Sequence, residues 1–316
     1  MSLTVKPILP AFGAECSGLD LTKPLNPDEL KQVTDAMDKW GITIWRDTDL
    51  NDAQHVDFSR NFGYLERVPK RDGVPMRLPF RELFDASNLN LEGEITRDPA
   101  AIEYRKGDRL WHTDSAFLAR RTSYSVLLAH EVPEKGGQTW FADTRSAYDD
   151  LPDHMKEFLE GKVGINSLWW SRKKAGANIP EEEIDARFKA EHKLVHVHKG
   201  SGRKALFIAA HTMDVKGMGK EEGRALIKDL IEHCTQPQYI FSVSWNVGDM
   251  VIWDNLCSMH KGGDFEYAKY KRDMRRTTVR EGTEPHTMDM GDDPYTELFS
   301  NSPKAVDINT ARDAGR

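Results

Sequence analysis

The sequence predicts an α+β fold, a β-core with helices packed outside, and three observations predict it. An early segment carries helical periodicity behind a clear cap. From about residue 123 onward, short β-like runs follow one another between turns, broken by one further long helix. No internal repeat and no low-complexity linker divides the 316 residues, so the chain reads as a single domain, 1–316. A double-sheet jelly roll fits this order, although pattern alone does not select it over other α+β arrangements.

Taken in order, Asn26 caps the first helix, Pro27 sits at its start, and Asp28 and Glu29 favour the positive end of its dipole. Leu30, Val33, Met37 and Trp40 then recur at helical spacing until Gly41 ends the run. Residues 42–45 read as a buried strand, and a second helix is expected between Asn51 and Gly63. Residues 64–110, rich in charge, Pro and Gly, predict loops and short strands. Strands are expected over 124–132 and 139–142, joined through Gly136 and Gly137. These glycines read as turn formers rather than phosphate binders, because no helix start follows directly. Residues 144–162 predict one or two short helices. The segment 164–192 combines WWSRKK with the acidic helical run PEEEIDARFKAE and reads as an insertion that could form a lid. Strands over 194–198, 206–209 and 240–245 surround a helix at about 220–234, with Leu226, Leu230 and Ile231 inward. The last strands are expected over 250–253 and 275–279, followed by a polar tail, 283–316.

Composition bounds the function. A hydrophobic fraction of 39% with 30% charged residues is that of a globular protein with a substantial core. The net charge of −7 argues against nucleic acid or an anionic membrane as partner, while leaving room for a locally basic pocket. Cys16, Cys234 and Cys257 are odd in number and irregularly spaced, so they form no disulfide framework and suit a reducing compartment. The N-terminus lacks the basic head and apolar core of a secretory signal, and no apolar run reaches the length of a membrane span. The expectation is a cytoplasmic protein.

The chemistry begins at Trp111-His112-Thr113-Asp114. In a strand, His112 and Asp114 share a face and can offer an imidazole nitrogen and a carboxylate oxygen to one metal. A lone His-x-Asp is common by chance. Downstream, His260 ends the run WDNLCSMH in a turn-like segment behind an expected strand. Two histidines and one carboxylate leave a metal's opposite face open, as non-haem Fe(II) oxygenases require for co-substrate and O₂. A structural zinc site is closed instead, and usually uses cysteine. The run KRDMRRTT (271–278) adds a third signal, because Arg272, Met274 and Arg276 share a face if it is a strand. Two arginines in one pocket are costly unless they meet anions, and the planar guanidinium suits carboxylates. The bland alternative is a solvated charge cluster.

Other residues carry weaker signals. His198 and His211 lie near strand ends and either line the pocket or, more commonly for such residues, sit satisfied in the core. Trp111 and Trp253 flank the candidate ligands and pack around them. Asn88 reads as a turn former or as a partner of substrate or co-substrate. Residues 169–174 suit a lid with an aromatic wall and basic tip, or a solvated loop. His130, His233 and His286 carry no usable signal.

Together, HTD at 112–114, GGQTWFAD at 136–143, WDN with His260, and RDMRRTT at 272–278 resemble the taurine dioxygenase family of Fe(II)/2-oxoglutarate-dependent dioxygenases. Within it, they are most similar to the 2,4-dichlorophenoxyacetate dioxygenase branch. The likeness runs from about residue 5 to 282 and includes GLDL at 18–21, FSRNFG at 58–63, SGRK at 201–204 and WNVGD at 245–249. Each motif is modest, but their order and spacing are specific. The resemblance implies a double-stranded β-helix, that is a jelly roll, and Fe(II) held by His112, Asp114 and His260. It implies 2-oxoglutarate as co-substrate, its distal carboxylate bonded by Thr139 and paired with Arg272, and Arg276 near the acidic group of the substrate. The loop between His260 and Arg272 is one residue longer than the family pattern, which leaves the roles of Lys271, Arg272, Arg275 and Arg276 open; strand parity favours Arg272 with Arg276.

The implied reaction is hydroxylation of a small acidic molecule, most closely an aryloxyalkanoate such as 2,4-dichlorophenoxyacetate, with ether cleavage to a phenol and glyoxylate. Taurine, an alkylsulfonate or another carboxylic acid is the alternative substrate. A non-redox metal enzyme and a catalytically inactive binding protein are more remote readings. A homo-oligomer is expected.

Overall fold

The structure, a computed structural model, describes residues 2–69 and 75–288; most of the expected polar tail lies outside the described residues. The chain begins with β1 (Thr4–Pro7), β2 (Ala14–Ser17), α1 (Pro27–Trp40), β3 (Ile42–Trp45) and α2 (Asp52–Arg60). It continues through β4 (Phe84–Asp85), α3 (Pro99–Arg105), β5 (Thr122–Glu131), β6 (Thr139–Asp143), α4 (Thr144–Asp149) and α5 (Asp153–Leu159). Next come β7 (Val163–Asn166), α6 (Leu168–Lys174), α7 (Glu181–Asp185), β8 (Ala190–Lys193), β9 (Val195–Val197), β10 (Lys204–Leu206) and β11 (Thr212–Val215). The described fold closes with α8 (Lys220–Cys234), β12 (Ile240–Val243), β13 (Met250–Asp254), β14 (Ser258–Gly262) and β15 (Asp273–Arg280).

Local chemistry starts the helices where the sequence places them. The Asn26 side chain accepts from the N–H groups of Asp28 and Glu29, both at 3.0 Å, and the Glu29 carboxylate accepts from the Asn26 N–H. This reciprocal cap satisfies donors that a helix start leaves free. Gly41, at φ 69°, ends α1 in a left-handed turn that a side chain would resist. Asn51 and Gln54 repeat the capping box at α2.

Two sheets face each other. The larger runs in the order β1-β2-β3-β13-β5-β15-β4, and a smaller one in the order β12-β6-β14. Their shared core holds Ile42, Ile44, Leu127, Val251, Trp253 and Met274 from the large sheet, and Phe141, Phe241 and Val243 from the small one. Side chains alternate as a strand's period of two requires. Val126, Leu128, Met250 and Ile252 point to the other face of the large sheet and pack under Val33, Met37 and Trp40 of α1. Ala142 and Met259, on the outer face of the small sheet, pack with Ile227 and Leu230 of α8. This is the jelly roll with outer helices that the sequence suggested.

Helix α3 and strand β8 are among the elements that differ from the sequence reading. Residues 99–105, expected as loop, form α3, capped by Asp98, whose side chain accepts from the Ala100 N–H. The helix buries no residue fully, so it leaves no apolar periodicity to read. Residues 190–193, read as the end of a helical run, form β8, which pairs with β7, itself paired with β11. Ala190 and His192 are buried there while Glu191 and Lys193 are exposed, an alternation too short to stand out. Between these strands, Trp169, Ile184 and Met213 form a small core of their own.

Candidate active site

His112 and His260 lie opposite each other on an isolated antiparallel bridge. His260 is on β14, not in a turn as expected, and β14 pairs with β6 so that His260 faces Phe141. Likewise, His112 and Asp114 do not share an extended strand. After the single bridge residue the chain turns at once, with Ser115 in left-handed backbone at φ 52°. The turn brings the Asp114 carboxylate back: His112 Nε2 lies 3.9 Å from Oδ1, and His260 Nε2 lies 3.7 Å from Oδ2. One donor atom from each of the three residues falls within 4.8 Å of the others, and all three residues are buried.

The surroundings orient these donors. His112 donates from Nδ1 to the Leu110 carbonyl at 2.8 Å, which leaves Nε2 as the ligand nitrogen. Asp114 Oδ2 accepts from Ser125 Oγ at 2.7 Å, and Oδ1 accepts from Arg276 Nη1 at 2.5 Å. The Asp114 N–H donates to Asn255 Oδ1 at 3.1 Å, and Asn255 Nδ2 donates to Ser125 Oγ at 2.9 Å. Burial, with the charges of His112 and Arg276 beside it, holds His260 well below the usual imidazole range and keeps it neutral. Two imidazoles and one carboxylate, with no cysteine among them, fit a divalent iron rather than a structural zinc.

Arg272 is half-buried overall, but its guanidinium is enclosed enough that burial pushes its pKa down to about 10. Its side chain meets only carbonyls, Gly137 O from Nε and Ala86 O from Nη1, each at 3.3 Å. Among the described residues no carboxylate pairs with it. Gly137 stands two residues before Thr139, a buried hydroxyl that accepts from Trp245 Nε1 at 3.1 Å. Arg275 points to the other face and is consumed by Asp52 at 2.6 Å and Asp273 at 2.8 Å. Lys271 pairs with the exposed Glu94 at 3.3 Å. Arg276, on β15, meets Asp114 instead, while Arg272 precedes the strand, which begins at Asp273.

The weaker candidates separate. His198 donates from Nε2 to Asp254 Oδ2 at 2.8 Å and meets Ser201 Oγ through Nδ1 at 2.8 Å. It is a satisfied core histidine, although His198, Asp254 and Cys257 also cluster within 4.8 Å. Burial pushes the Cys257 thiol well up, which removes it as a ready ligand. His211 instead sits against the site, its ring 6.1 Å from that of His112 and 5.1 Å from Phe117, and its Nδ1 has no partner. Asn88 is neither a turn former nor aimed at a ligand. It accepts from the Arg272 N–H at 2.8 Å and donates to the carbonyls of Tyr267 and Tyr270 at 2.8 and 2.9 Å. It therefore clips the long loop that leads into Arg272. Trp253 packs 4.6 Å from the His260 ring, as its position suggested.

Sequence reasoning missed two residues around the site, Glu66 and Arg105, and placed a third, Arg172, only within the basic tip of an expected lid or loop. Glu66 accepts from Ser115 Oγ at 2.9 Å, directly behind the ligand turn, and burial raises its pKa to about 7. Arg172 of α6 stacks 4.0 Å from the Tyr104 ring and approaches Gly107 so closely that an added Cβ would lie 1.7 Å from its Nη1. Arg105, at the end of α3, reaches the Phe84 ring at 5.5 Å. All three contacts join segments distant in sequence, and only Gly107, a glycine in an otherwise charged run, hinted at a close approach.

Among the described residues, no helix is long and apolar enough to cross a membrane. Residues 4–278 match the family described as taurine catabolism dioxygenase TauD, TfdA family. The chain is 37% identical over 285 residues to the alpha-ketoglutarate-dependent 2,4-dichlorophenoxyacetate dioxygenase of Cupriavidus pinatubonensis, over 88% of this chain and 98% of that protein. It is 29% identical over 267 residues to the (S)-phenoxypropionate/alpha-ketoglutarate-dioxygenase of Sphingobium herbicidovorans, over 81% of this chain and 88% of that one. Among solved structures, AAD-2 in complex with Mn(II) and N-oxalylglycine matches with a TM-score of 0.80 at 36% identity, over 92% of this chain and 100% of that chain. The chain therefore belongs to the TauD, TfdA family, and it is a dioxygenase that takes Fe(II) as cofactor, 2-oxoglutarate and O₂ as co-substrates and a small organic molecule as substrate.

Proposed function

We propose that this dioxygenase hydroxylates an aryloxyalkanoate such as 2,4-dichlorophenoxyacetate. The observation that carries the reading of the site is the enclosed Arg272 guanidinium, which meets carbonyls but no carboxylate. Such a group calls for an anion, and the distal carboxylate of 2-oxoglutarate supplies one. The substrate class rests on the 37% identity to a 2,4-dichlorophenoxyacetate dioxygenase.

In this reading His112, Asp114 and His260 would hold Fe(II) between their converging donor atoms. Bound Fe(II) supplies O₂ activation, coupled to decarboxylation of 2-oxoglutarate to succinate and CO₂. Arg272 and Thr139 grip the far end of 2-oxoglutarate. Ser125 and Asn255 keep the Asp114 carboxylate turned inward. Arg276 serves two anions: Nη1 is taken by Asp114, while its Nε, enclosed and without a partner among the described residues, is available to the acidic group of the substrate. One oxygen atom of O₂ enters the substrate C–H bond next to the ether oxygen and the other enters succinate. The hydroxylated carbon then collapses to a phenol and glyoxylate. Residues 164–192 form a wall or lid over the site, a role supported by the packing of Arg172 against Tyr104 and Gly107 just before His112. A cytoplasmic location is supported by three free, buried cysteines; assembly into a homo-oligomer is supported by the family resemblance alone.

The test is anaerobic. Fe(II) followed by 2-oxoglutarate is expected to give the weak visible charge-transfer band of the chelate. Admission of O₂ with 2,4-dichlorophenoxyacetate is then expected to release 2,4-dichlorophenol and glyoxylate. Absence of the band in folded, iron-loaded protein would overturn the site assignment. Turnover of taurine or an alkylsulfonate in place of any aryloxyalkanoate would overturn the substrate class.

A further inference from the structure

The edge strand β4 and the residue after it carry three arginines on three successive residues. Arg276 is the ladder partner of Phe84 and lies 4.8 Å from its ring. Arg105 reaches the same ring at 5.5 Å and donates from Nη2 to the Asp85 carbonyl. Arg272 donates to the Ala86 carbonyl. The charge of Arg105 is among the causes that lower the pKa of Arg272, so the two guanidinium groups lie within electrostatic reach.

Arg105 is the least satisfied of the three. Its Nη1 is enclosed and, among the described residues, has no hydrogen-bond partner. The carboxylate that approaches it, Asp108, stands 3.9 Å from Nη1, beyond hydrogen-bond range. Asp85 attracts Arg105 electrostatically but gives its Nη1 no hydrogen bond, both carboxylate oxygens being held by Arg77 at 2.7 and 2.8 Å. The donors point the same way. Arg276 is committed through Nη1 to Asp114, so the enclosed Nε of Arg276 and the enclosed Nη1 of Arg105 are left as two donors that suit one singly charged acidic group.

We propose that Arg105 is a specificity-determining residue, whose guanidinium acts with that of Arg276 to bind the acidic group of a mono-anionic substrate. This rests on the reading above that the substrate is a small organic anion. It adds a residue from α3, an element without a visible sequence signal, to the selection of that substrate. Phe84 presents its ring to both guanidinium groups, Arg276 at 4.8 Å and Arg105 at 5.5 Å, and so stands between them while Arg276 keeps its Nη1 on Asp114.

The experiment uses full-length, Fe(II)- and 2-oxoglutarate-loaded protein without O₂. Dissociation constants are measured for 2,4-dichlorophenoxyacetate and for its neutral amide, in wild type, R105Q and D108N. Wild type is expected to prefer the anion. R105Q is expected to lower that preference by about tenfold or more, the loss of a charge-assisted hydrogen bond, while 2-oxoglutarate affinity shifts far less. D108N, at a partly exposed position, removes the competing carboxylate and is expected to raise the preference; it decides the matter if R105Q does not fold. An R105Q protein that keeps the wild-type preference, or that loses anion, amide and 2-oxoglutarate affinity alike, overturns the proposal, the latter outcome marking a prop for β4. An unchanged preference in D108N overturns it as well. Wild type that binds neither 2,4-dichlorophenoxyacetate nor an aryloxypropionate nor an alkylsulfonate overturns the organic-anion reading itself, a failure visible before any variant is made.

Discussion

His112 and His260 hold each other through the backbone, the N–H of each donating to the carbonyl of the other at 2.9 and 2.8 Å. Their rings, 4.1 Å apart, take no part in that bridge. The fold thus positions the two imidazoles without spending them, which separates the ligand function from stability. His112→Ala is expected to abolish Fe(II) binding, measured by metal content after dialysis, and turnover with it. Its melting temperature in the metal-free state is expected to stay within a few degrees of wild type, on the scale of about 1 kcal/mol. A variant that still consumes 2-oxoglutarate normally would sink the ligand assignment.

Arg272 gives a prediction about partition between two ligands. Hydrogen bonds to charged groups contribute about 1.5–3 kcal/mol, roughly ten- to a hundredfold in affinity. Arg272→Ala is therefore expected to raise the KM for 2-oxoglutarate by that factor and the KM for the substrate much less. Steady-state kinetics with each varied in turn reads this directly. The reverse pattern would exchange the roles of Arg272 and Arg276.

What could be read in advance follows from how far each signal reaches along the chain. The start of α1 was legible because Asn26 and Glu29 close their cap within one turn. The separation of Arg275 from Arg276 was legible because a strand alternates every residue: Arg275 meets Asp52 and Asp273, Arg276 meets Asp114. The ligand turn was not: Ser115 adopts its left-handed backbone beside Glu66, and no local pattern connects those residues. Nor was the strand character of His260, whose ladder partner Phe141 lies far back in the chain. Arg105 stayed hidden because α3 buries none of its residues fully, so the helix that delivers it left no periodicity.

Ser125 shows how the jelly roll itself tunes the site. Its hydroxyl, on the central strand β5, donates to Asp114 Oδ2 at 2.7 Å and accepts from Asn255 Nδ2 at 2.9 Å. Partners one layer behind metal ligands typically change metal affinity by about 10–100-fold when removed. Ser125→Ala is expected to weaken Fe(II) binding within that range, read by competition with a chelator, while the fold persists. Affinity equal to wild type would mean that Arg276 alone orients the carboxylate.

Glu66 makes the stability of the metal-free protein depend on pH. Burial raises its pKa from 4.5 to about 7, against the opposing pull of Arg280, Ser115 and Arg276. A folded-state pKa above the unfolded one means that the folded protein keeps a proton the unfolded chain has released. The stabilisation is complete below about pH 4.5 and is lost as pH rises to about 7. At about 1.4 kcal/mol per unit, the loss is on the order of 3 kcal/mol. Glu66→Gln stays neutral throughout, and its amide carbonyl can still accept from Ser115 Oγ. The variant is expected to match wild type near pH 4.5 and to exceed it at pH 8, with denaturant unfolding of both proteins at each pH as the measurement. A variant less stable than wild type at pH 8 would overturn the sign of the shift: the ionised Glu66 would then be net stabilised in the fold by Arg280, whose Nε lies 3.9 Å from Oε1.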